Sequence, residues 1–185
     1  MKKFFILLPI FLLMFSCTTL AAEKTYSKVG VVIIGGTEFK TEDYYRRVEK
    51  IFSAPKGPFC RVGKDMQTKY QKFLLNNDII GETTIRRQNL VGFVKESGCQ
   101  KILFLVVEEN IDSQNNSGGR QKNRITVQVD GYLCNDMSVL EVTTSSQDFK
   151  SKTSNLRARR GAFEKCLEEI APTINPLIGV PLRED

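Results

Sequence analysis

Two short apolar runs stand out along the chain: Val29 to Ile34 (VGVVII) and Ile102 to Val107 (ILFLVV). Both are continuous instead of alternating, which predicts strands covered on both faces. The first ends at Gly35-Gly36 and the second at Glu108-Glu109. Between them the pattern changes to helical spacing. Tyr44, Val48, Ile51 and Phe52 recur on one face after Thr41, an N-cap candidate followed by Glu42 and Asp43. Pro55 and Gly57 close that helix. Phe59 to Val62 predicts a short strand. Lys64 to Leu75 predicts a helix with Met66, Tyr70, Phe73 and Leu74 on its stripe. Thr83 or Thr84 would cap a further helix carrying Leu90, Phe93 and Val94 and stopping at Gly98.

Beyond the second run, residues 112–123 (DSQNNSGGRQKN) are polar and predict a mobile loop. Ile125, Val127 and Val129 then alternate with polar residues, as in a strand with one wet face. Asn135-Asp136 marks a turn, and Met137 to Thr144 returns as a second hairpin strand. Leu156, Phe163, Cys166, Leu167, Ile170 and Ile174 keep helical spacing from about Asn155. Pro172 is expected to end or kink that helix and open an irregular tail. The order β-α-β-α-α-β-β-β-α predicts an α/β (α+β) fold. It has one mixed sheet of about four to five strands with helices packed on it.

The first residues read as an address. Lys2 and Lys3 precede the uncharged run Phe4 to Ser16, which is shorter than the ~20 residues that span a bilayer. Its length suits a secretory signal, cut after Ala21 or Ala22. Cys17, directly after the run, offers a second route: lipoprotein processing, with acylation at that cysteine. Residues 1–22 are therefore a leader and 23–185 one domain, with the irregular tail from about 172. The expected location is periplasmic or secreted, or the membrane surface through Cys17.

Composition narrows the chemistry. The 185 residues include no His, which excludes His-based triads, His zinc ligands and His pH switches. Without the two leader lysines the formal charge falls from +6 to +4, and the aromatic interleaving of a nucleic-acid binder is missing. Cys60, Cys99, Cys134 and Cys166 remain after Cys17 and make up to two disulfides possible in an oxidising compartment. Buried free thiols are the other reading, and Cys166 lies on a helix stripe. No CxxC spacing suggests a redox site or metal knuckle.

Three short motifs invite chemistry. Gly57 to Asp65 (GPFCRVGKD) fails as a phosphate loop: five residues separate its glycines, and Asp65 stands where a Ser or Thr would hold magnesium. Gly35-Gly36 lies between strand and helix but lacks the GxGxxG pattern, so no cofactor is implied. Glu108, Glu109 and Asp112 form an acidic group that reads first as solvated strand-end charge, and alternatively as a hydrolase or metal site. Basic residues gather as Arg46-Arg47, Arg86-Arg87 and Arg157, Arg159 and Arg160. Arg157 and Arg160, three apart, share a helix side.

The succession VGVVIIGG, an amphipathic helix, GPFCRVGKDMQTKY, KESGC leading into KILFLVV, a hairpin and RARRGAFEKCLEEI resembles the envelope α/β domain of the CsgG, LpoB and TolB N-terminal group. The likeness covers about residues 28–171. It implies an adaptor without catalytic residues; CsgG's pore-forming insertions are not evident. The expected function is a non-catalytic, exported envelope domain that binds another protein or a wall component. Candidate contacts are Arg120 and Lys122 in the loop and Arg157 and Arg160 on the last helix. The alternatives are a carboxylate-dependent enzyme or metal binder, and a structural subunit of an oligomer.

Overall fold

The two apolar runs lie side by side inside one sheet. The structure, a computed structural model, describes residues 29–52, 60–61, 64–81, 86–114 and 122–179. The expected leader with Cys17, and Pro55, Gly57, Thr83, Thr84, Gly118, Gly119 and Arg120, lie outside the described residues. The elements are β1 (Val29–Gly35), α1 (Glu42–Phe52), β2 (Cys60–Arg61), α2 (Lys64–Asn76), α3 (Arg87–Ser97), β3 (Lys101–Gln114), β4 (Lys122–Asn135), β5 (Val139–Ser151) and α4 (Asn155–Ile174). The sheet is mixed and five-stranded, in the order β2-β1-β3-β4-β5. β1 pairs in parallel with β2 and β3, while β3, β4 and β5 pair antiparallel.

Burial on both sides explains the continuous apolar runs. Val31, Ile33, Leu103 and Leu105 face a core shared with α1 and α4, whereas Val32, Ile34, Ile102 and Phe104 face a second core under α2 and α3. Each fully buried side chain of this size contributes about 1.5–3 kcal/mol. Gly35 ends β1 with φ 144°, and a Cβ there would lie 2.4 Å from the Val107 carbonyl oxygen. The chain therefore needs glycine at this crossing out of the sheet.

Among the described residues β2 is two residues long and pairs with Val29 and Gly30. Farther along that edge a side chain takes over. Gln67 of α2 accepts the Ile33 N–H through Oε1 at 3.2 Å, and the same oxygen accepts the Tyr45 hydroxyl at 3.1 Å. A buried edge of β1 is thereby hydrogen-bonded where no strand of the described residues lies beside it.

Four expectations change. β3 does not stop at Glu108-Glu109; it runs to Gln114 against β4 from Lys122, so Asp112, Ser113, Gln114, Lys122 and Asn123 of the expected loop are strand. Backbone bonds carry such a ladder whatever the side chains, and polar residues suit an extension with wet faces. α3 starts at Arg87 with Arg86 at the N-cap and no side-chain cap, later than a cap at Thr83 or Thr84 would place it. Leu156 is exposed and off the α4 stripe, which is carried by Ala158, Ala162, Phe163, Cys166, Leu167, Ile170 and Ile174. Pro172 does not end α4, and the tail is regular as far as Ile178, with residues 180–185 outside the described set. The helix reaches Ile174 and passes into a 3-10 turn, Asn175–Ile178, with Ile178 buried. Pro172 and Glu168 are both exposed, so the carbonyl left without a donor faces water.

Candidate functional site

The last helix begins where the outer strand ends, and that junction forms a groove. Ser151 Oγ accepts the backbone N–H groups of Thr153 and Ser154, and Ser154 caps α4 by accepting the Arg157 N–H at 3.2 Å. Phe149 of β5 then lies flat against Gly161. A Cβ at Gly161 would sit 2.6 Å from Cδ2 of the ring, so no other residue fits under it unmoved. Lys165 Nζ stands over the same ring, 5.5 Å from its centre. The resulting surface groove has a volume of about 540 Å³ and includes Arg47, Phe149, Leu156, Arg157, Arg160 and Lys165 in its walls.

The charges of this groove divide into two groups. Arg160 Nε is 2.8 Å from Asp43 of α1, and Arg47 bridges Asp43 at 3.2 Å and Glu164 at 2.7 Å. Lys50 adds a contact to Glu164 at 3.6 Å. This network fastens α1 to α4; each half-exposed pair contributes about 0.3–1 kcal/mol. Arg157, Lys165 and the carboxylate Glu168 belong to the other group and carry no ion pair among the described residues. The structure thus brings Arg157 and Arg160 to one groove but engages only Arg160 with a carboxylate. Lys122 is the first residue of β4, and Arg120 lies outside the described residues.

Of the acidic group of the sequence, Glu108 and Glu109 do not come together, and the side chain of Asp112 lies outside the described set. Glu108 and Glu109 are neighbours on β3 and therefore point to opposite faces. Glu108 is exposed, whereas Glu109 takes a two-pronged ion pair from Arg159 of α4, with Nη2 to Oε1 at 2.7 Å. Their side chains are 15% and 17% exposed. Arg159 also lies over the Phe39 ring at 5.8 Å, and the Glu109 hydrogen bond holds its proton more firmly than usual. Tyr44, edge-on to Phe39 at 5.2 Å, is buried beside this pair, and burial pushes its hydroxyl pKa up to about 12. Glu109 is a structural anchor for α4, not half of a paired-carboxylate site.

Nor do the cysteines pair as disulfides among the described residues. Cys99, Cys134 and Cys166 are free thiols. Cys134 faces the core under α2 and α3, and Cys166 faces the core under α4, so the sheet separates them. Cys166 donates to the Val127 carbonyl at 3.2 Å. Burial pushes the Cys134 thiol up to about 12 and raises Cys166 as well. The side chain of Cys60 lies outside the described set. Among the described residues, no three His, Cys, Asp or Glu groups converge for a metal, and no helix is long and apolar enough to cross a membrane.

Sequence reasoning missed Lys165, Phe149 and Gly161. One signal was present: a glycine inside a strongly patterned helix costs about 1 kcal/mol against alanine, and Gly161 marks where another element comes close.

The fold defines a class: an α+β domain with a mixed five-stranded sheet between two helical layers. No protein-family model matches the chain, and no curated protein does. Among solved structures it is similar to lipoprotein GNA1162 from Neisseria meningitidis, with TM-score 0.44, 10% identity and coverage of 80% of this chain and 99% of that one. It is similar to hypothetical protein CT253 from Chlamydia trachomatis, with TM-score 0.44, 9% identity and coverage of 82% and 98%. A PelC dodecamer from Paraburkholderia phytofirmans matches with TM-score 0.43, 12% identity and coverage of 85% and 90%.

Proposed function

We propose that this chain is an exported, non-catalytic domain of the bacterial envelope that binds another envelope protein or a wall component through the α4 groove. The observation that carries the reading is the meeting of two cations without an ion pair among the described residues, Arg157 and Lys165, with the apolar surfaces of Phe149 and Leu156 in one open groove, which Glu164 and Glu168 also line. A cationic rim beside an aromatic wall suits a partner that offers a carboxylate and an apolar group together. Export rests on the leader, released after Ala21 or Ala22 or retained through an acylated Cys17. The resemblance to the CsgG, LpoB and TolB N-terminal group supports an adaptor role.

The test is retention from an envelope extract on the immobilised chain, compared with Arg157→Glu combined with Lys165→Glu. A component held by the parent and lost by the variant, with the helical circular dichroism unchanged, is the expected result. A component held equally by both, or a precursor that stays in the cytoplasm, overturns the proposal.

A further inference from the structure

The outer strand of the sheet has a second surface, on the face opposite α4. β5 is an edge strand: β4 pairs with it on one side, and no strand of the described residues lies on the other. Alternate residues of such a strand turn N–H and C=O outward, ready to pair with another extended segment. Edges are commonly blunted by proline or by being very short. β5 contains no proline or glycine and runs for 13 residues. Its irregularity is one bulge opposite Leu133/Cys134, beside the turn, where Leu140 is the extra residue.

The bulge leaves Val139 and Val142 on the same face, opposite Cys134 and Tyr132. Val142 is 41% exposed, Leu140 38% and Met137 81%. Met137 and Val139, at the start of this margin, form one side of a groove of about 540 Å³, with Val91 and Gly92 of α3 on the other. Arg87 and Lys95 flank it, neither with an ion pair among the described residues, and no carboxylate lines the groove. An unpaired backbone edge, an apolar trough beside it and a rim of cations alone specify one kind of guest.

We propose that β5 and the α3 groove form a strand-addition site. Its guest is an extended peptide segment of a partner protein, apolar at alternate positions and carrying an acidic residue that meets Arg87 and Lys95. Main-chain bonds to β5 supply sequence-independent affinity, and the trough with its two cations supplies selectivity. A guest of about six residues spans ~20 Å of the strand. This surface is separate from the α4 groove, so either proposal can fail alone.

The test is selection of a random ten-residue displayed peptide library on the purified chain. Enriched peptides are expected to alternate β-branched or aromatic residues with polar ones and to carry Asp or Glu. Synthesised, they are expected to bind at least tenfold more weakly to Arg87→Glu with Lys95→Glu, and to Val142→Lys with Thr144→Lys, and as tightly as before to Arg157→Glu. No enrichment, or enriched peptides indifferent to the β5 lysines, overturns the proposal. So does equal binding by a proline-interrupted version, since proline cannot complete the ladder. Binding of anionic vesicles that the library peptides do not displace would assign the groove to lipid. Self-association abolished by Val142→Lys in light scattering would assign the edge to a second copy. Either result overturns the peptide assignment.

Discussion

Gln67→Leu tests whether one side chain completes the hydrogen bonding of a sheet edge that no strand of the described residues covers. In the parent, Gln67 is 6% exposed and its Oε1 is the acceptor for both Ile33 N–H and Tyr45 hydroxyl. Leucine fills similar space and offers no acceptor. Leaving the Ile33 N–H unsatisfied in the core costs about 1–3 kcal/mol, and losing the Tyr45 bond about 1 kcal/mol. Against this, Gln67 Nε2 is buried without a partner, so its removal returns about 1 kcal/mol. The net expectation is a loss of about 2 kcal/mol. At 2–4 °C per kcal/mol for a chain this long, the melting temperature falls by about 4–8 °C. Urea unfolding measures the free energy, and amide hydrogen exchange reads Ile33 directly, with protection falling about 30-fold. Lys72→Ala, an exposed change on the same helix, is the control and stays within about 0.5 kcal/mol. A variant as stable as the parent, with Ile33 equally protected, would refute the claim that Gln67 seals this edge.

Two further predictions rest on groups inside the fold. Glu109→Ala strands the Arg159 charge against Phe39 and is expected to cost about 2 kcal/mol in urea unfolding. A double-mutant cycle with Arg159→Ala should then return a coupling of at least about 1 kcal/mol; additive losses would show that the pair is incidental. Native alkylation followed by mass spectrometry should label Cys99 and spare Cys134 and Cys166, and rapid labelling of either buried thiol would contradict the packing. The same burial carries a pH signature. Cys134 and Tyr44 both have folded pKa values raised to about 12, above their unfolded values. Protons are then lost first from the unfolded chain, so this stability is complete below about pH 8.5 and drains away as pH rises toward 12. Stability flat from pH 8 to 11 would sink this reading.

Much of the architecture was legible in the sequence because it depends on local pattern. The runs around Val32 and Phe104 announced strands covered on both faces, and the stripes through Val48, Tyr70, Phe93 and Phe163 announced helices. The errors fall where local pattern is silent. Polar residues at 112–114 resemble a loop, yet they pair because β4 lies opposite them. Pro172 resembles a stop, yet the helix continues because Ile174 and Ile178 are buried beyond it and the proline faces water.

The candidate sites divide in the same way. Arg157 and Arg160 could be placed together from their spacing of three. Nothing in that spacing said that Asp43 would engage one and leave the other free, since α1 lies more than a hundred residues away in the chain. Glu108 and Glu109 looked like a pair because they are adjacent, and strand pleating is what separated them.

By itself, the sequence determined the kinds of element, their order and the layered class of fold, because hydrophobic periodicity is set by residues a few positions apart. It also determined, through the absence of histidine, which chemistries are closed. Only the tertiary structure decided which charges cancel, which thiols are sealed and which strand is left at the edge. Those outcomes depend on which distant segments meet, and a partner within 3 Å in space leaves no mark on the local pattern.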